Sequence, residues 1–299
     1  MKLSKPVISF VLYILALFAF TRVANAQELF VDKKKHLKNL QEVKLANFTV
    51  SFTTSEGKSA STISRNNFMG AKSALRVITS GLTNELMQRI TDEAYADFVE
   101  KLEAHGFTIT EYRPEEKLIK SMAPYFKRTE NYAEDVDYYQ PFSHISTITV
   151  SAGNKPFVKY GNQYMVGHAA KQNKENPITV NYLINSGYLQ ANAKKREDKF
   201  FGKIYNKTKV AFLPGVQVFW RSGINVWSTK SAFGEIKINT NVYREGPAGE
   251  LVTKDQSNLI RRSNATLELI IDPDKYYNDA MSVLKEVNTK LINEMAKYK

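Results

Sequence analysis

Between Leu82 and Leu102 apolar residues return every fourth position, with Leu82, Leu86, Ile90, Ala94, Phe98 and Leu102 forming one stripe that Met87, Tyr95 and Val99 widen. A helix this long with one apolar face is not stable alone in water, so the chain has to supply a surface that covers it. The spacing predicts a helix from Thr83 to His105. Its other side is charged and reads as solvated, with Glu85 and Arg89, Arg89 and Glu93, and Asp97 and Lys101 four residues apart, while His105 and Gly106 form a stop signal. Strand patterns flank it. Val43 and Leu45, then Phe48, Val50 and Phe52, alternate with polar residues after a phase change at Ala46 and Asn47, which predicts a strand with one buried face; Phe107 to Thr110 predicts another. Strand, helix and strand in this order imply two parallel strands of one sheet joined by a right-handed crossover.

The rest of the chain is read by its punctuation. Ser55 to Asn67 is rich in Ser, Thr, Asn and Gly and reads as a loop, and Pro114 with Glu115 and Glu116 opens a short helix to about Met122. Segments from Ile145, Ile178, Lys209, Val216, Ile224, Glu235 and Ala265 are short and alternating. They are divided at Asn185-Ser186-Gly187, Pro214-Gly215, Ser222-Gly223 and Gly246-Pro247, so antiparallel pairing is expected. Alternation sets Val216, Val218 and Trp220 on one face and Gln217, Phe219 and Arg221 on the other, which makes Phe219 an exposed contact residue or, more readily, core in a sheet covered on both sides. Asp272 and Pro273 then start a closing helix whose Tyr277, Ala280, Leu284, Val287, Leu291 and Met295 form a stripe suited to packing on the sheet. The expected architecture is α+β, a mixed, largely antiparallel sheet carrying a long early helix and a C-terminal helix. A single domain over 41–299 is expected, made of an α/β opening (43–125), a strand-rich part (143–271) and the closing helix (273–298), behind an exposed polar lead-in at 27–40.

Ahead of that lead-in, Val7 to Phe20 is an apolar run preceded by Lys2 and Lys5 and followed by Ala24 and Ala26 with one residue between them. The run is shorter than the roughly 20 residues of a membrane-spanning helix and ends at a small-residue cleavage pattern, which predicts a signal peptide at 1–26 and no transmembrane anchor once it is removed. Export to the periplasm or beyond follows. The chain has no cysteine. That excludes disulfides, thiolate chemistry and a lipoprotein's acceptor thiol, and it favours a bacterial envelope over a eukaryotic secretory route. Lys2, Lys5 and Arg22 leave with the signal and no acid does, so the formal charge of +12 falls by three and stays basic. Anionic partners suit such a chain, although lysines spread for solubility give the same balance. The dense runs are Lys33 to Lys38 and Lys194 to Arg196, and no basic-aromatic motif points to nucleic acid.

Catalytic patterns are sparse. His36, His105, His144 and His168 have no spacing that sets two imidazoles on one helical face, and neither a Gly-x-Ser-x-Gly elbow nor a phosphate loop occurs, so no metal or other cofactor is expected. Asp92 and Glu93 fall on or beside the charged side of the long helix. The segment from Tyr125 to Phe142 sets four acids, Glu130, Glu134, Asp135 and Asp137, among four tyrosines and two phenylalanines. It lacks clean periodicity and reads as a flap or an open connection. Carboxylates beside aromatic faces are common in sugar sites, which makes Tyr132, Asp135, Asp137, Tyr138 and Tyr139 the candidate binding residues. An exposed acidic loop explains them better, because the glycine and terminal glutamate of a calcium loop are missing.

The run ANFTVSF, the polar stretch after it, the helix GLTNELMQRITDEAYADFVEKLEAHG and the return FTITE together resemble the opening of two periplasmic α/β families, the curli secretion channel family and the amino-terminal domain of the TolB translocation protein. The likeness covers about Val43 to Glu111. It implies a periplasmic α/β unit; without a lipid-acceptor cysteine, it does not imply pore formation. The remainder is similar to secreted bacterial proteins, which implies no activity.

Two functions are consistent with these readings. One is a non-enzymatic exported protein that binds an envelope protein or an anionic envelope polymer. The other is a periplasmic hydrolase or carbohydrate-binding protein using 125–142. Mass spectrometry of the protein from its native host should give a chain starting at Gln27, and replacing Ala24 and Ala26 by bulky residues should leave the precursor uncleaved; a cytoplasmic chain retaining Met1 would refute export.

Overall fold

A computed structural model describes residues 28–38, 40–62, 71–112, 126–127, 132–140, 143–153, 157–158, 164–197, 204–228, 233–259 and 262–299. The chain opens with β1 (Leu29–Asp32), β2 (Glu42–Ser61), β3 (Lys72–Ser80), α1 (Asn84–Ala104) and β4 (Thr108–Glu111). Next come β5 (Phe126–Lys127), β6 (Tyr132–Gln140), β7 (Ser143–Ser151), β8 (Phe157–Val158), α2 (Tyr164–Asn173), β9 (Pro177–Glu197) and β10 (Ile204–Val218). β11 (Gly223–Trp227), β12 (Phe233–Ile238), β13 (Val242–Tyr243), β14 (Gly249–Leu259), β15 (Arg262–Ile271) and α3 (Pro273–Ala296) complete it. Among the described residues this is a mixed α/β structure, mostly sheet, with three α-helices and an open 13-stranded sheet. Its main path runs β1-β12-β11-β9-β2-β3-β15-β14. β2 with β4, β2 with β9 and β3 with β15 are parallel; the other pairings are antiparallel.

β2 organises the sheet. Lys44 to Phe52 pair with β9 and Ser55 to Ser61 with β3, while Glu42 to Leu45 pair with β4 and Thr49 to Lys58 with β7. The stretches that pair with two strands at once show that β9 and β3 share one edge and β4 and β7 the other. A register shift between Thr53 and Ser55 falls where the partner changes from β9 to β3. Such a bulge adds local twist and bends the strand. The expected parallel pairing of 43–45 with 108–111 is present, but β3 lies between β2 and α1 in the chain and had no counterpart in the sequence reading.

Both faces of β2 are buried, not one. Phe48 packs edge-on against Tyr95 at 5.5 Å and Tyr182 at 5.6 Å, and tilted against Phe98 at 5.6 Å, which seats α1 on one face. On the alternate positions Asn47, Thr49, Ser51 and Thr53 are also buried. Neighbouring strands satisfy two of them: Thr49 Oγ1 donates to Asn181 Oδ1 at 2.8 Å, and the Ser51 and Thr149 hydroxyls share a hydrogen bond of 2.8 Å.

The two long helices start at the caps their sequences indicate. Thr83 accepts from Leu86 N and Asp272 from Lys275 N, and Gly106 closes α1 with φ 74°. The charged side of α1 is only partly solvated. Asp97 accepts from the buried Asn288 Nδ2 at 2.8 Å, and Glu93 accepts the Tyr277 hydroxyl, so both acids join α1 to α3. Asn288 also donates to Ala94 O at 3.0 Å and accepts from Tyr182 Oη at 2.6 Å. One amide therefore links sheet, first helix and last helix.

Several expectations give way. The lead-in is exposed only in part: Phe30 and Lys33 to Lys35 are exposed, but β1 pairs with β12 and Leu37 and Leu40 are buried. Ser55 to Ser61 is strand, paired with β3 throughout and with β7 as far as Lys58, so that part of the loop reading is corrected. Asn185-Ser186-Gly187 and Pro214-Gly215 do not end strands; β9 and β10 run through them, with a register shift at Pro214/Gln217. β14 was not foreseen. Phe219 is buried, but Trp220 is 37% exposed because β10 ends at Val218 and its alternation stops there. The short helix expected at 114–122 lies outside the described residues.

Replacing Phe98 by Ala should cost about 3 to 5 kcal/mol in urea denaturation, since its ring is fully buried against Phe48. Tyr182→Phe should cost about 1 to 3 kcal/mol through the unpaired Asn288 oxygen. No loss in either would contradict the seam described.

Candidate functional site

The segment of the candidate residues is a strand. β6 pairs antiparallel with β7 from Tyr132↔Val150 to Gln140↔Ser143, which overturns the reading of 125–142 as an open connection for its residues 132–140. Backbone pairing with β7 satisfies this edge although the side-chain pattern lacks period two, a case of tertiary context overriding local signal. Tyr132, Asp135, Asp137, Tyr138 and Tyr139 all stand on β6, which is described by its backbone alone. The register shifts between Asp135 and Tyr138, so Val136 and Asp137 together stand opposite the single Ser146 of β7.

Ser146 belongs to an open trough of about 560 Å³ across β7, β2, β3 and β15. Its polar lining is Ser55, Lys58, Ser59, Ser146, Arg76, Asn264 and Thr266, and Gly57 also lines it. Register explains the convergence. Ser59 stands opposite Ala74 and Gly57 opposite Arg76, while Ala74 and Arg76 align with Asn264 and Thr266. Residues two apart on four adjacent strands thus share one face. The Ser55 hydroxyl donates to the Ser146 hydroxyl at 3.2 Å. A Cβ placed on Gly57 would meet nothing within 4 Å, so the space above it is open.

Among the described lining residues there is neither a carboxylate nor a histidine to take a proton from a serine. Lys58 is engaged elsewhere, donating to Leu189 O at 2.8 Å with its ammonium 5.1 Å from the centre of the Tyr188 ring. Hydroxyls, one amide and the exposed Arg76 guanidinium suit a polar, hydroxyl-rich or anionic ligand. No cluster of three or more metal-ligating side chains occurs among the described residues.

Behind the trough floor, Glu56 is 6% exposed and accepts from Asn185 Nδ2 at 2.9 Å. Burial pushes its carboxyl above the ordinary range, and the Asn185 hydrogen bond and the Lys58 charge only partly oppose this. No protein-family model matches the chain, and no curated protein matches it.

None of the trough residues was a candidate on sequence grounds. Ser55, Gly57 and Ser59 do alternate, but their composition matches a loop, and Arg76, Ser146, Asn264 and Thr266 come from strands that only the sheet brings together.

Because its folded-state pKa is raised, Glu56 contributes full stability below its unfolded pKa of about 4.3 and loses it as pH rises through the folded value. Glu56→Gln should therefore be more stable than the parent at pH 7, with the gain vanishing near pH 4 in parallel thermal melts.

Proposed function

We propose that this is a non-enzymatic exported protein that binds another component of the bacterial envelope, an envelope protein or an anionic envelope polymer, through the trough. The scaffold is α+β, with a long early helix and a C-terminal helix laid on a largely antiparallel sheet. The observation that carries the reading is the trough: open, lined by hydroxyls, an amide, a guanidinium and the Lys58 ammonium, with neither a carboxylate nor a histidine among its described lining residues. The signal-like run at 7–20 and the basic balance of the chain support export and an anionic partner. The absence of cysteine supports a protein that is not a lipoprotein, and the likeness of 43–111 to the curli channel and TolB openings supports a periplasmic setting. Among the described residues no helix is long and apolar enough to cross a membrane, which leaves β-barrels unaddressed.

A second reading, a hydrolase or carbohydrate-binding protein, draws support from one placement. Asp137 stands opposite the trough residue Ser146, so the acidic, tyrosine-rich strand lies one strand from the cavity. Binding of labelled protein to isolated cell envelopes separates the two. Gly57→Phe should fill the trough without a clash and weaken saturable binding at least about tenfold, equivalent to 1.4 kcal/mol. Asp135→Asn with Asp137→Asn should leave it largely intact. The opposite pattern, from folded proteins, would favour the second reading.

A further inference from the structure

β9 and β10 continue past the sheet as a two-stranded arm, paired from Tyr188↔Leu213 to Glu197↔Ile204. One face of the arm is used for packing. Leu189 is fully buried, Val210 and Phe212 pack against the core, and the Thr208 hydroxyl shares a hydrogen bond of 2.7 Å with Ser73 on β3. Alternation assigns the other face without ambiguity, and its described members agree, since Tyr188, Gln190, Lys209 and Leu213 are exposed.

The cross-strand pairs on that outer face are Tyr188↔Leu213, Gln190↔Ala211, Asn192↔Lys209, Lys194↔Lys207 and Arg196↔Tyr205. Four of these ten residues are cations and none is an acid. Two lysines directly opposite each other destabilise a strand pair, so the ladder works against its own fold unless a partner neutralises it. Lysines also blunt strand edges against aggregation, but that use does not call for an acid-free face with Tyr and Leu at its base.

We propose that this outer face docks on an anionic phospholipid surface. The register lines Lys194, Arg196, Lys207 and Lys209 along one face of the ladder, a concentration of positive charge that complements an anionic bilayer, and Tyr188 opposite Leu213 supplies the amphipathic pair that favours a membrane interface. Basic residues near an anionic leaflet each add to the attraction and act together. The site is separate from the trough and does not depend on its ligand.

The test is co-sedimentation of the purified protein with vesicles of phosphatidylcholine, alone or mixed with phosphatidylglycerol. Binding should require phosphatidylglycerol and weaken steeply as salt rises above about 0.15 M. The variant K194Q/R196Q/K207Q/K209Q, with an unchanged melting temperature, should bind these vesicles roughly 100-fold more weakly. Both proteins carry the same amino terminus, so the difference isolates the arm. Gly57→Phe should leave vesicle binding unchanged, which keeps this result apart from the trough. Equal binding to the two lipid compositions, a measurement that needs no variant, would overturn the proposal. So would undiminished binding by the folded quadruple variant. Soluble polyphosphate that binds as tightly and displaces the vesicles at equal phosphate would overturn it too, reassigning the face to a free polyanion.

Discussion

Everything in this sheet depends on how the backbone of β2 is satisfied. A strand of 20 residues, buried on both faces over its central part, has no access to water for its amides and carbonyls, so both edges must find partners along most of its length. Four strands share the task, each over a limited stretch. The change of partner from β9 to β3 coincides with the register shift at Thr53/Ser55. Past Ile184, β9 parts from β2 while keeping β10 on its other edge, and the pair continues as the arm. The trough opens beside the same bend, where Ser55 meets Ser146. Two candidate interaction sites thus follow from one irregularity in one strand.

The layers are joined by a few buried polar groups set in a larger apolar core. Asn288 satisfies its oxygen with Tyr182 and its nitrogen with Ala94 O and Asp97, so three elements far apart in sequence meet at one side chain. Polar groups placed this way cost stability if any partner is lost, and they make sliding of α3 along its apolar stripe unfavourable. Glu56 behaves differently. Its single amide partner does not offset burial, and it remains an acid that the fold tolerates at neutral pH at some expense of stability.

The two candidate surfaces differ in how much of them could be read from the chain. The run Lys194 to Arg196 is visible as charge, but its meaning depends on Lys207 and Lys209 standing across from it, a matter of hairpin register. The trough is harder to see. Its polar residues are small, common types drawn from four strands, and the glycine that leaves it open reads in sequence as a turn residue. The acidic tyrosine segment was conspicuous in composition, yet its lack of alternation hid that it is a strand, because hydrogen bonds to β7 give its backbone a place.

By itself the sequence determined what depends on neighbours within a few residues. The span of α1, the caps at Thr83 and Asp272, the stop at Gly106, the burial of Phe48, Phe98 and Leu284, and most of the strand positions follow from periodicity and capping, which act over one or two turns. Only the tertiary structure decided the rest: that β3 and β14 exist, that the polar face of β2 is buried, that β9 and β10 run through apparent turns, and that Leu37 lies in the core. In each case the residue's own preference is weak. The deciding term is a partner on another strand or helix, whose hydrogen bonds or apolar surface outweigh it once the sheet has formed.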